Sequence, residues 1–140
     1  LIELLVVIAI IGILSSVVLA SLNTARCKGA NSNIKANLAN IRAQAEIVYD
    51  TAGNYTGLCT NAVVAGATAS AASALGGTVG NVLATAGTAT TVVCHENTSV
   101  WAISSGLKVA EGSNNYWCSD STGASKAHAS ALAASATVCP

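Results

Sequence analysis

The side chains able to do chemistry are few in this chain: two histidines, six acidic residues and five cysteines among 140 residues. His95 and His128 stand apart, with no Gly-x-Ser-x-Gly nucleophile turn and no phosphate-binding glycine loop to join them. Cys94 and His95 are adjacent, yet the earlier cysteine of a Cys-x-x-Cys-His haem attachment sequence is missing. We therefore expect neither an enzyme nor a haem protein. The cysteines fall at 27, 59, 94, 118 and 139 with no Cys-x-x-Cys pair, so we expect no metal and no cofactor. Four of the five lie after residue 58, in a stretch rich in Ser, Thr, Gly and Asn, which reads as an exported domain held by disulfides.

Those cysteines need elements to position them, and composition bounds what these are. A 140-residue chain fits one domain with one extension. Six basic residues balance six acidic ones, so no net field draws nucleic acid or anionic lipid, and no specific nucleic-acid partner is expected. Only 9% of residues are charged while 52% are hydrophobic, a composition that predicts extensive burial by neighbours.

The apolar excess is concentrated at the N-terminus. Leu4 to Leu14 runs without a polar side chain, and Val17 to Ala20 extends it beyond Ser15 and Ser16. As a helix, Leu1 to Leu22 would be about 33 Å long, near the hydrocarbon thickness of a bilayer. The basic start and small-residue cleavage site of a removed signal are not visible, which favours a membrane or packing segment. Further on, Ile34, Leu38, Ile41, Ala45, Val48 and Tyr49 recur at helical spacing. Gly29 and the Asn-rich stretch at 31 to 33 weaken this pattern without breaking it, so one helix is expected from Leu1 to about Asp50, ending before Gly53. At about 75 Å it exceeds what a small domain can cover, and its first half must be buried by lipid or by other copies.

Residues 54 to 140 are expected to form a globular β domain. Within it, 61 to 91 is a low-complexity run of Ala, Gly, Ser, Thr and Val that reads as a surface connector, with a helical turn possible at Ala71 to Leu75. Thr90 to His95, Val100 to Leu107 and Tyr116 to Ser119 read as three antiparallel strands. Ser125 to Ala136 fits helix, strand or loop. The fold class is thus α+β, a long N-terminal helix on a small antiparallel sheet. Asn54-Tyr-Thr and Asn97-Thr-Ser match the N-glycosylation pattern, a short motif common by chance.

The opening LIELLVVIAIIGIL, residues 1 to 14, resembles the start of bacterial type IV pilins and type II secretion pseudopilins. YWCSDSTGASK at 116 to 126 resembles, less closely, a recurring ending of small pilin-like proteins. The resemblance implies the pilin fold and a filament subunit stored in the inner membrane, methylated at its N-terminus and extracted by pilus assembly machinery. It implies an extracellular filament in which Leu1, Ile2, Leu4, Leu5, Val6, Val7, Ile8, Ile10, Ile11, Ile13 and Leu14 form the hydrophobic core. The family's motif begins two residues before Leu1, so the expected mature chain does too. The resemblance gives Glu3 the role of the single acid in the apolar stretch, paired with the N-terminal amine of a neighbouring subunit. Physical reasoning agrees that this carboxylate needs a partner, because in an apolar helix it costs several kcal/mol unpaired. Its alternative is a wet position near the helix start, favourable to the dipole.

Gly12 matches a family glycine where the helix loosens in filaments, with close helix packing as the other reading. The family's downstream proline is replaced by Ala20, so the helix either stays more continuous or unwinds by Gly12, Ser15 and Ser16 alone. Among fifteen ways to form two bridges from five cysteines, we favour Cys59 with Cys94 and Cys118 with Cys139, leaving Cys27 unpaired in the helix. Arg26 and Lys28 mark a membrane edge, or pair with acids on neighbouring subunits, or are simply solvated. Tyr49 and Tyr55 read as helix-end and loop residues. A minor pseudopilin of a secretion or DNA-uptake system, or a membrane-anchored surface-binding protein, is the alternative function.

Overall fold

The computed structural model describes all residues from Leu1 to Pro140. Its order is α1 (Ile2–Ala52), α2 (Ala62–Leu75), β1 (Thr78–Gly80), β2 (Thr91–Glu96), β3 (Trp101–Glu111), β4 (Asn114–Asp120) and β5 (Ser125–His128). The strands make one sheet in chain order, with β1 parallel to β2 and every other pairing antiparallel. The architecture is α+β, a long helix on a mostly antiparallel sheet, consistent with a pilin fold.

Helix α1 runs unbroken for 51 residues, through Gly12, Gly29 and the asparagines at 31 and 33. At 1.5 Å per residue it spans about 76 Å. It stops at Gly53, whose left-handed φ of 72° lets its N–H close back onto the Tyr49 carbonyl. Asn31, Ile34, Leu38, Ile41 and Ala45 are its buried residues, one line at alternating spacings of three and four. Val48 packs on the rim of the core, while Tyr49 is exposed and lies against Tyr55, ring centroids 4.8 Å apart.

The sheet sorts its residues by strand alternation. Val92, Cys94, Trp101 and Ile103 face α1 and α2 in the main core, whereas Val93, Ala102 and Cys118 face the other way and are covered by Leu132 and Cys139 of the C-terminal tail. Two disulfides join the layers: Cys59 to Cys94 with Cα atoms 5.7 Å apart, and Cys118 to Cys139 at 5.8 Å. The first ties the loop after α1 to β2; the second pins the tail to β4.

Two expectations are corrected. Much of the 61 to 91 segment is not a surface connector, because Ala62–Leu75 forms α2 and buries Val64, Thr68, Ala71, Ala72 and Leu75. Asn61 caps it by accepting the Val63 N–H at 2.9 Å, and Gly76 ends it with φ of 77°. Small residues suffice there because α2 lies directly on α1, where they permit close approach. The sheet has five strands rather than three, β1 and β5 being short edges of three and four residues. Ser125 to Ala136, which by sequence fits helix, strand or loop, begins as β5 and continues as a tail without regular structure.

Candidate functional site

Both histidines lie buried within the fold. His95 is fully buried, with Nδ1 2.7 Å from the Ala136 carbonyl and Nε2 2.7 Å from the Thr85 carbonyl, so it joins β2 to two loops. His128 is stacked on Tyr116, and its ring nitrogen Nε2 lies 3.5 Å from Ser104 Oγ. Burial, then the nearby Lys126 charge, pushes the His128 pKa below its usual value. Burial alone would raise the Asp120 carboxyl, but N–H groups of Cys139, Thr122 and Ala124 and the Thr122 hydroxyl all donate to it and hold it low. Burial, followed by the Glu46 charge, pushes the Tyr55 hydroxyl up. A polar cleft of about 250 Å³ opens between Arg42, Glu46, Trp101 and the turn after β4. The Arg42 guanidinium there is already taken by the Gly123, Asp120 and Ala124 carbonyls and Ser119 Oγ. No three His, Cys, Asp or Glu side chains converge to hold a metal ion.

The feature left without a partner is the first half of α1. Every residue from Leu1 to Arg26 is exposed, and the helix is long and apolar enough to cross a membrane. Leu1, Ile2, Leu4, Leu5, Val6, Val7, Ile8, Ile10, Ile11, Ile13 and Leu14 all present at least half of their surface, and Val17, Val18, Leu19 and Leu22 continue the band. Fully burying each such side chain is worth about 1.5 to 3 kcal/mol, so the bare band represents tens of kcal/mol. That exceeds the whole stability of an ordinary domain, about 5 to 15 kcal/mol. Nothing among residues 1 to 140 covers this segment, which could serve as a membrane anchor.

Two hydroxyls in and just beyond the band bond back to the helix. Ser16 Oγ donates to the Ile13 carbonyl at 2.8 Å and Thr24 Oγ1 to the Ala20 carbonyl at 3.2 Å, so both hydroxyls are satisfied within the helix. Backbone N–H groups are satisfied by the helix itself from Leu5 onward, while the uncapped first turn leaves its N–H groups free. Gly12 has open space where a Cβ would be, a gap in the side-chain surface that admits a close neighbour. Glu3 is the acid in the first turn, exposed, and suited there to the positive end of the helix dipole. Cys27, half-buried, is the free thiol. It stands apart from Glu3 and Gly12 by several turns of helix.

Just past the band, α1 is clamped to the globular domain. Asn31 donates from Nδ2 to the Val109 carbonyl at 2.7 Å, and its Oδ1 accepts from the Lys108 and Val109 N–H groups. These are the β3 residues where pairing with β4 shifts register between Gly106 and Glu111, so Asn31 supplies the bonds that the neighbouring strand does not. One turn later Lys35 grips Glu111 at 2.6 Å and lies 4.6 Å from the Trp117 ring centre. The Lys35 hydrogen bond draws the Glu111 carboxyl below its usual range. Sequence reasoning missed Asn31 and this pair. The signal was present in Asn31, a polar residue in line with Ile34 and Leu38 and therefore destined for a buried, fully bonded position.

No family model, curated protein or solved structure matches this chain.

Proposed function

We propose that this protein is a structural subunit of a type IV pilus filament, and that assembly with copies of itself is its activity. The observation that carries the reading is the bare apolar half of α1, joined without a break to a half that is anchored in a disulfide-bonded domain. The motif-bearing start LIELLVVIAIIGIL supports the same reading. A lipid bilayer covers the band before assembly, and neighbouring copies cover it afterwards. Both solvents are apolar, so transfer between them costs little hydrophobic energy, and directional contacts choose the filament. Glu3 supplies one such contact by pairing with the N-terminal amine of a neighbouring subunit. A membrane carboxylate without a partner is costly, which makes the paired, assembled state the favoured one. The chain is then held in the inner membrane, drawn out by pilus assembly machinery, and displayed as a cell-surface filament with residues 54 to 140 outermost.

Electron microscopy of material sheared from cells, with mass spectrometry of the filament band, tests this. Abundant thin filaments composed of this chain are expected. The chain found in membranes alone would support a minor pseudopilin or an anchored binding protein instead. Glu3→Ala tests the pairing: filament yield equal to the unaltered chain would sink the role given to that carboxylate.

A further inference from the structure

Helix α1 carries seven charged residues, and the fold uses only some of them internally. Lys35 is bound to Glu111, and Arg42 to the carbonyls of the β4–β5 turn. Glu3 serves the N-terminal amine on the pilus reading. Arg26, Lys28, Glu46 and Asp50 remain, all exposed. Arg26, Lys28 and Asp50 have no hydrogen-bonded or ionic partner within the chain, and Glu46 has only a loose contact of 3.5 Å from the Tyr55 hydroxyl.

Their placement around the helix is not random with respect to the domain. At 3.6 residues per turn, Arg26 projects about 100° to one side of the buried line through Asn31, Ile34, Leu38, Ile41 and Ala45. Glu46 and Asp50 project about 100° and 140° to the other side. Lys28 falls on the acidic side too, but about 27 Å before Glu46 along the axis. The domain occupies the buried line and, through the turn after β4, reaches Arg42 on the acidic side, so Glu46 stands at the mouth of the polar cleft and Asp50 lies beyond it, both still exposed to a neighbour. Level with each other near the start of this region, one flank carries Arg26 and the other Lys28; the two anions lie on Lys28's flank, 20 and 24 residues beyond Arg26, or about 30 to 36 Å.

Resting on the pilus reading, we infer that a second copy of this chain docks on the acidic flank, parallel and displaced about 30 to 36 Å toward its C-terminal end, with its Arg26 between Glu46 and Asp50. Opposite flanks are used, so the contact is head-to-tail: each copy offers Arg26 to one neighbour and Glu46 and Asp50 to the next. Such a contact does not close on itself as a two-fold pair and extends into an open polymer. The packing beside the charges agrees. Leu19, Leu22 and Asn23 surround Arg26 on its own flank. The same displacement brings those leucines level with Ala39 and Ala43, which are exposed and present small side chains. The charge pair sets the axial register, and the aliphatic band, which would accept any register, supplies the adhesion.

Charge exchange in cells tests this. Arg26→Glu, and separately Glu46→Arg with Asp50→Arg, are each expected to lower filament yield about tenfold by opposing like charges. The amount of chain in the membrane should not change, because Arg26 and Asp50 make no bond within the chain and Glu46 makes only the 3.5 Å contact from Tyr55. Combining all three substitutions is expected to restore at least about half of the original yield. Normal filaments from Arg26→Glu would overturn the register while leaving the pilus reading intact. Loss in the separate exchanges without restoration in the combination would overturn the pairing. An unaltered chain that makes no filaments would overturn the pilus reading itself and this inference with it.

Discussion

Leu5 and Leu38 belong to the same helix, one 59% exposed and the other completely buried, and neither value follows from the residue type. Leu38 lies in a half where apolar residues occupy one line and polar residues the remainder, so one sheet and one short helix satisfy it. Leu5 lies in a half that is apolar all round, and no single-sided partner can cover it. A helix of the first kind completes a domain; one of the second kind is a demand on the environment. The join between them is made by Asn31 and Lys35, polar residues that fix the domain onto the helix immediately past the bare band.

The sharpest way to break this comparison is to cut the same side chain in both halves. Leu38→Ala is expected to destabilise the domain by about 2 to 5 kcal/mol. Leu5→Ala should leave it unchanged within about 0.5 kcal/mol. Thermal or urea unfolding of the detergent-solubilised protein measures both, and an equal loss would mean that the halves are not independent. The join is expected to matter less. Asn31→Ala leaves the Lys108 and Val109 N–H groups and the Val109 carbonyl without partners, a cost of about 1 to 3 kcal/mol. Amide hydrogen exchange should then rise at Lys108 and Val109 and stay unchanged in β2.

The smallest expected effect concerns pH on the tail side of the sheet. His128 has its folded pKa depressed by burial, so the folded chain binds its proton less readily than the unfolded chain. Its contribution is present above the usual value of 6.5 and is lost as pH falls from there through the folded value. Glu111 and Asp120 are also depressed, but from 4.5 and 3.8, so their contributions persist until lower pH. Unfolding curves should therefore weaken first below about pH 6.5, and His128→Gln should remove that first step. An identical slope in the variant would exclude the ring as its source.

The helix was legible because its signals extend over many residues: an aliphatic run, then a line at alternating spacings of three and four. The three longer strands were legible for the same reason. α2 was not, since most of its buried residues, Thr68, Ala71 and Ala72 among them, are small, and hydrophobic periodicity registers size poorly. Its Asn61 cap and Gly76 stop were visible but were submerged in a run where similar residues recur. The edge strands β1 and β5 are too short to show alternation, and they exist because a neighbour pairs with them. At the candidate site the need for an outside partner could be read directly from Leu1 to Leu22. The burial of Asn31 was readable from its place in line with Ile34 and Leu38, but the partners of Asn31 and Lys35 were not, because they lie some eighty residues away.

The most direct test is electron cryomicroscopy of filaments sheared from cells that produce the unaltered chain. The account predicts a central bundle of α1 helices in which residues 1 to 22 pack against other copies, with the disulfide-bonded domains outside. Filaments whose core is built by another protein, with the first half of this helix still in lipid, would contradict it.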